Sequence, residues 1–105
     1  VSEDFGQQAI NCEVSHKPGD KLWEKQGLHS EKSKKVSVPR IREAKAVLEC
    51  KVNQFLETGG DHTILVGEVV YAEAEEGLAA INPLLHETAE KFRNIGKEII
   101  LKRKR

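Results

Sequence analysis

The sequence predicts a mainly β protein with short flanking helices, and three features of the middle of the chain carry that prediction. From residue 46 the chain alternates between apolar and polar side chains, the period-two pattern of a half-buried strand. Residues 58–61 (TGGD) are a turn signal, and residues 63–71 (TILVGEVVY) are β-branched and apolar on both faces. Two such strands around a Gly-Gly turn predict an antiparallel hairpin that pairs segment 46–56 with segment 62–74.

The alternation also predicts how the two strands are buried. On the first strand, one face should turn to the core; it is formed by Ala46, Leu48, Cys50 and Val52. The other face should turn to solvent; it is formed by Lys45, Glu49, Lys51 and Asn53. The second strand should be central in a sheet or barrel because it is apolar on both sides. Glu68 lies inside that strand, where a buried carboxylate must be paired or protonated, and we expect a structural ion pair there.

Short helices are predicted before the hairpin. Residues 2–13 have helical spacing of apolar side chains, with Ser2 as a possible cap. A turn at residues 18–19 precedes a second helix over residues 21–26, which Asp20 can cap and Gly27 can end, with the next residue, Leu28, folding back on it.

The remaining segments have weaker signals. Residues 29–35 are polar and predict an exposed connection into an extended piece over residues 36–38, which Pro39 ends or places at a sheet edge. The end of the chain is ambiguous: Asn82 and Pro83 can start a helix, and apolar side chains from residue 85 to residue 99 keep helical spacing. Residues 102–105 form a basic tail that we expect to be solvated.

Composition limits the classes of function. The 105 residues predict one domain over 1–105, and the 17 basic and 17 acidic residues argue against nucleic acid as the main partner. No apolar run is long enough for a membrane span and no signal peptide opens the chain, so no membrane partner is expected. Two isolated cysteines favour reduced thiols and a cytoplasmic location. The absence of methionine, even at position 1, suggests a processed end or a cut in a longer chain.

Five groups of residues, in this order and at this spacing, resemble the flavin reductase family. The strongest part is the hairpin, with LEC at 48–50, GDHT at 60–63 and VGEVV at 66–70. Before it stand Ser15 with DKL at 20–22 and GL at 27–28, and then PRI at 39–41 with EA at 43–44. After it come PLLH at 83–86 and the later Phe92, Ile95 and Gly96. The resemblance covers residues 2–99, and flavoredoxin-like members are similar in character.

The resemblance implies an FMN-binding split β-barrel that forms a homodimer and passes hydride or electrons between NAD(P)H and flavin. Because the flavin itself performs the redox chemistry, no nucleophile–base pair is needed. Members run to about twice this length, so the resemblance implies the C-terminal part of an incomplete barrel. An alternative is a non-catalytic fragment or remnant that acts in assembly or interaction without bound flavin.

Four residues are the candidates for holding the cofactor. The resemblance places Lys21 close to FMN, and a lysine at a helix start suits a phosphate. Asp20 and Ser15 belong to the same segment. His62 follows the hairpin turn and could bond a flavin edge, although a turn histidine bonded to local backbone is the more frequent case. The other histidines are scattered without ligand spacing, so no metal site is predicted.

Overall fold

The computed structural model describes residues 2–13, 17–75, 77 and 81–104. A 3₁₀ turn at Glu3–Phe5 leads into helix α1, and a second short helix follows before six strands; the bounds are α1 Gly6–Asn11, α2 Leu22–Lys25, β1 Ser30–Glu31, β2 Arg40–Ile41, β3 Ala46–Glu57, β4 Thr63–Ala74, β5 Leu84–Thr88 and β6 Lys91–Asn94. The strands form three antiparallel pairs, β1 with β2, β3 with β4 and β5 with β6. The predicted mainly β fold with short helices is confirmed.

The predicted central hairpin is confirmed, and it is the largest element. Strands β3 and β4 pair along twelve residues each, from Ala46 opposite Ala74 to Glu57 opposite Thr63. The turn between them includes Gly59, whose φ of 82° is a conformation that glycine adopts without a Cβ clash. Two irregularities interrupt the pairing, one between Glu49 and Cys50 and one between Val52 and Gln54.

The two irregularities bring ten small or apolar residues of the hairpin to one side. The first leaves Val70 without a partner in β4, and the second leaves Asn53 without a partner in β3. An extra residue in one strand shifts the period-two alternation of that strand by one position. The residues beyond it therefore face the side opposite to the one that a regular strand would give them. We call the resulting surface the apolar face; its members are Ala46, Leu48, Cys50, Val52, Phe55, Leu65, Gly67, Val69, Ala72 and Ala74.

The prediction of which face is buried was wrong. On the apolar face the large side chains of both strands, Leu48, Val52, Phe55, Leu65 and Val69, are 51–67% exposed. On the opposite face Glu49 is only 3% exposed. The loop before β3 covers the opposite face near the start of the hairpin, whereas nothing among the described residues covers the apolar face. Glu68, expected to be buried and paired, is exposed.

The prediction that Ser2 caps the first helix was wrong, since its side chain makes no capping hydrogen bond. The other flanking segments depart from their predictions in three places. Helix α2 begins at Leu22, and no side chain caps it; the carboxylate of Asp20 instead accepts the backbone N–H of Lys17 at 3.2 Å. Gly27 does end this helix, with a φ of 77°, and the N–H of Leu28 donates back to the Trp23 carbonyl at 2.9 Å.

The second and third departures concern strands. Residues 36–38 form bends and no strand; the extended piece lies after the proline, as β2. The C-terminal helix is also wrong, since residues 84–94 form the hairpin of β5 and β6. Ala89, in its turn, has a φ of 42°.

The N-terminal segment is joined to the segment just before β5. Ser2 and Pro83 form an isolated antiparallel bridge, the N–H of Glu3 donates to the Asn82 carbonyl at 3.1 Å, and Gly6 packs against the Leu84 side chain. Among the described apolar residues, Leu28 and Ile81 are the buried ones. In the described part of the chain no helix has the length and apolar character that crossing a bilayer would require.

Candidate functional site

A cluster of charged side chains joins the start of the hairpin to the loop that precedes it. Its centre is Arg40 in β2, whose side chain is 9% exposed. The Nη2 of Arg40 lies 2.8 Å from Glu73 Oε1, its Nε lies 3.1 Å from Glu31 Oε2, and its Nη1 lies 3.4 Å from Glu49 Oε2. We call these four residues the Arg40 cluster. It links strands β1, β2, β3 and β4 through one cation.

Glu49 is the most enclosed member of the cluster. Its carboxylate also accepts the backbone N–H of Lys34 at 2.9 Å and that of Lys35 at 2.6 Å. Burial by itself would raise the pKa of Glu49, but these backbone hydrogen bonds and the Arg40 charge outweigh burial and lower that pKa. The carboxylate is therefore ionised and holds the loop against β3.

Two cavities flank the cluster. One, of about 380 Å³, is lined by charged side chains that include Lys34, Arg42 and Lys45. The other, of about 360 Å³, is mainly apolar and is lined by Trp23, Ser30, Val38, Pro39, Arg40 and Ile41. Both volumes are at the lower end of the range for small-molecule sites. The Trp23 Nε1 is buried and has no acceptor among the described residues.

Two of the predicted site residues directly precede the helix that contributes Trp23 to the apolar cavity. Lys21 occupies the position before helix α2, two residues from Trp23, and Asp20 precedes it. The Lys21 side chain is 63% exposed, and its only ion pair in the described part of the chain is a long one, 3.9 Å from Nζ to Glu24 Oε1. It is therefore available to an anionic ligand. Ser15 lies outside the described residues.

His62 lies apart from the other candidates. Its side chain is 89% exposed, and its Nδ1 lies 2.7 Å from Asp61 Oδ1 at the tip of the hairpin. The hairpin tip is far from the Arg40 cluster, because Glu49 lies eight residues before the end of β3, or roughly 26 Å along a strand. No hydrogen bond or ion pair joins His62 to Lys21 or Asp20 within the described ranges.

Two features of the site were missed by the sequence reasoning. The Arg40 cluster was missed because Glu49 belonged to the face expected to be exposed, and the buried carboxylate was sought at Glu68 instead. The alternation within β3 does not indicate that the loop before the strand covers Glu49. The second feature is the stack of His86 on Phe92, with ring centroids 4.5 Å apart and planes 9° from parallel. The register of β5 and β6, which pairs these residues, would have predicted it.

No three His, Cys, Asp or Glu side chains in the described ranges lie close enough together to hold a metal ion.

Comparison with known proteins gives matches to relatives that are longer than this chain. An uncharacterized protein of Aquifex aeolicus is 34% identical over 97 residues, which are 92% of this chain and 48% of the relative. An uncharacterized protein of Archaeoglobus fulgidus is 52% identical over 48 residues, 46% of this chain and 27% of the relative. The chain thus spans about half, or less, of the length of these curated relatives.

Two solved structures share the fold. Nitrilotriacetate monooxygenase component B from Bacillus cereus superposes with a TM-score of 0.87 at 20% identity, covering 96% of this chain and 56% of that one. Flavoredoxin of Desulfovibrio vulgaris (Miyazaki F) superposes with a TM-score of 0.81 at 16% identity, covering 94% and 57%. The three open sheets described above are therefore part of a split barrel.

The family model described as "Flavin reductase like domain" matches residues 1–96, more than nine-tenths of the sequence. That match covers the hairpin, the Arg40 cluster and the segment that contains Lys21. The chain therefore belongs to the flavin reductase-like domain family.

Proposed function

We propose that the chain is the FMN-binding part of a flavin reductase or flavoredoxin-like protein, which passes hydride or electrons between NAD(P)H and flavin as a homodimer. The observation that carries the proposal is the family match over residues 1–96. When bound, the flavin would supply the redox chemistry, and the protein would orient it and set its polarity. The cytoplasmic location stays a prediction.

The described residues fit one side of a flavin. Val38, Pro39, Ile41 and the Trp23 ring provide an apolar wall, the kind of surface that packs against a planar aromatic ring. The exposed ammonium group of Lys21 is close by in sequence and suits the phosphate. The cavity is open, so the residues described here would hold the ring from one side and leave the other side to a second surface.

The four candidate residues have different parts in the proposal. Lys21 contacts the phosphate or the ring edge, and Asp20 and Ser15 belong to the same binding segment. His62, at the hairpin tip, could meet only a flavin held by a different part of the assembly, so it is the weaker candidate.

The test is to purify the chain and record its visible absorption, followed by titration of added FMN monitored by flavin fluorescence. We expect a yellow protein, or quenching of FMN fluorescence that saturates. Replacing Lys21 by Gln should weaken FMN binding about tenfold, since a hydrogen bond to a charged group contributes roughly 1.5–3 kcal/mol. Lys25→Gln, at the other end of the helix that Lys21 precedes, is the matched control and should bind as the unaltered chain does.

A second candidate function has one observation in its favour. The uncovered apolar face of the hairpin is a surface for association, which fits a chain that acts in assembly or interaction without flavin. A colourless protein that leaves FMN fluorescence unchanged would favour this alternative over the first.

A further inference from the structure

The segment that follows β6 closes with nine residues of distinct character. We call residues 97–105 (KEIILKRKR) the tail. The match to the family model ends at residue 96, so the tail lies beyond it. Up to residue 104, where the structure describes it, the tail contains no helix and no strand. The family match therefore assigns no role to the tail, and the evidence comes from its own side chains.

Three consecutive apolar side chains form the centre of the tail and lie almost fully in solvent. Ile99 is 77% exposed, Ile100 is 75% exposed and Leu101 is 87% exposed. Single apolar side chains on a surface are common and need no explanation. Three in succession, in a segment without regular structure, favour a partner that can remove them from water.

The tail also carries a concentrated positive charge. Five basic residues and one acidic residue give it a net charge of +4, and because the whole chain is balanced, residues 1–96 carry −4. The cations flank the apolar centre, with Lys97 before it and residues 102–105 after it. Among the described residues, no cation of the tail forms an ion pair with the acidic remainder of the chain. The positive charge is therefore available to an anionic partner.

We propose that the tail docks the chain onto the surface of a bilayer that contains anionic phospholipids. The apolar centre lies among the acyl chains just below the headgroups, and the flanking lysines and arginines contact the lipid phosphates. Stable attachment to a membrane surface needs two signals, such as one apolar group together with a basic cluster. The tail has both within nine residues. The expectation of no membrane partner concerns a spanning segment, which a surface contact does not need.

A bilayer fits the tail better than a nucleic acid does, although both are polyanions. Proteins bind nucleic acids through contacts of cations with phosphates and through stacking of bases on aromatic side chains, and residues 97–105 contain no aromatic side chain. Three aliphatic side chains gain little from phosphates, whereas they gain free energy when they leave water for acyl chains. Binding to a bilayer therefore depends on both parts of the tail, and binding to a nucleic acid depends on the cations alone.

The experiment is co-sedimentation of the full chain with vesicles of phosphatidylcholine, either alone or mixed with phosphatidylserine. We expect the chain to bind the mixed vesicles and to be released as the salt concentration rises, because salt screens the attraction between the charges. The combined variant Lys102→Gln, Arg103→Gln and Lys104→Gln removes three cations of the tail. Since each cation near an anionic membrane contributes about fivefold in affinity, this variant should bind roughly a hundredfold more weakly. The matched control removes three exposed cations elsewhere and should bind as the unaltered chain does; it combines Lys17→Gln, Lys51→Gln and Lys91→Gln.

A second variant tests the apolar centre and keeps every charge. It combines Ile99→Ser, Ile100→Ser and Leu101→Ser, and it should lose more than about tenfold in affinity for the mixed vesicles. Its binding to a double-stranded DNA fragment should not change, because that binding depends on the cations. Far-ultraviolet circular dichroism should be the same for all the variants, since the described part of the tail has no regular structure.

Three results would overturn the inference. The unaltered chain could fail to sediment with the mixed vesicles at low salt, or the matched control could lose as much affinity as the tail variant. If the serine variant bound the vesicles as tightly as the unaltered chain, the tail would be a general binder of polyanions. Visible absorption of the same samples keeps this inference separate from flavin binding, because a colourless chain that binds the mixed vesicles still supports docking by the tail.

Discussion

Glu49 shows how one side chain can decide which face of a strand is buried. Its carboxylate accepts hydrogen bonds from two backbone N–H groups of the loop before β3 and forms an ion pair with the Arg40 guanidinium. A buried carboxylate needs partners of this kind, because desolvation of a charge is costly without them. The loop therefore packs on the polar side of the strand, and the apolar side is left for another surface.

The first prediction concerns acid stability. Since the pKa of Glu49 in the folded chain lies below the ordinary value of 4.5, its ionised form stabilises the folded state above that pH, and this contribution is lost as the pH falls through the lower folded-state pKa. Glu49→Gln should reduce the number of protons taken up on acid unfolding, by at most about one. The measurement is the free energy of unfolding by urea as a function of pH below 5.

The control for this experiment is Glu57→Gln, which removes an exposed carboxylate from the other end of the same strand. It should leave the slope of stability against pH close to that of the unaltered chain. If the two variants had the same slope below pH 5, the proposed anchoring of the loop by Glu49 would be wrong.

At the scale of elements, the bulges determine the surface that the hairpin presents. Val52 and Phe55 are three residues apart, an odd spacing that would place them on opposite faces of a regular strand. The unpaired Asn53 brings both to the apolar face. In β4, Val69 and Ala72 are related in the same way by Val70.

The bulge at Asn53 predicts that deletions at two neighbouring positions change the apolar face differently. Removal of Asn53 should leave the remaining pairs and the apolar face intact. Removal of Val52 gives a chain of the same length in which Asn53 takes the place of Val52 on that face. Because an amide replaces an exposed apolar group on the apolar face, we expect the second deletion to bind less of a dye that fluoresces on exposed apolar surface than the first.

The dye fluorescence of the two deletion variants can be compared at equal protein concentration. Circular dichroism near 215 nm should show the hairpin in both. Equal dye fluorescence would mean that residue 52 does not lie on the apolar face.

The sequence predicted the elements with strong periodic signals and failed where pairing is decided over a distance. The central hairpin followed from alternation and a Gly-Gly turn. The C-terminal hairpin was missed because the apolar residues 85, 89, 92 and 99 also suit a helix, and short segments with both periods are settled by packing. Its strands are fixed instead by cross-strand contacts such as the His86–Phe92 stack and by the bridge from Ser2 to Pro83.

The candidate site was predictable only in part. The segment of Lys21 was found through the family resemblance, whereas the cavity that Trp23 lines depends on how α2 meets β2. The Arg40 cluster joins residues that are up to 42 positions apart in sequence, Glu31 and Glu73. No local pattern encodes such a contact, so alternation alone could not predict it.

At the scale of the whole molecule, the chain is expanded for its length. Its radius of gyration is 16.6 Å, compared with about 13 Å for a compact domain of about 100 residues. The difference has a visible cause, since the long hairpin extends from the Arg40 cluster without cover on one side and residues 95–104 follow β6 without regular structure. That the 105 residues form one domain stays a prediction.

The last prediction follows from this expanded shape and concerns a dye that fluoresces on exposed apolar surface, 8-anilinonaphthalene-1-sulfonate. The described structure offers the dye two apolar surfaces, the apolar face and the side chains of the tail, Ile99, Ile100 and Leu101. Val52→Glu places a charge on the apolar face and should lower the dye fluorescence, although not to zero, because the tail remains exposed. Gln54→Glu places the same charge on the opposite face and should leave the fluorescence near that of the unaltered chain. Equal fluorescence of the two variants would mean that the dye binds a surface other than the apolar face.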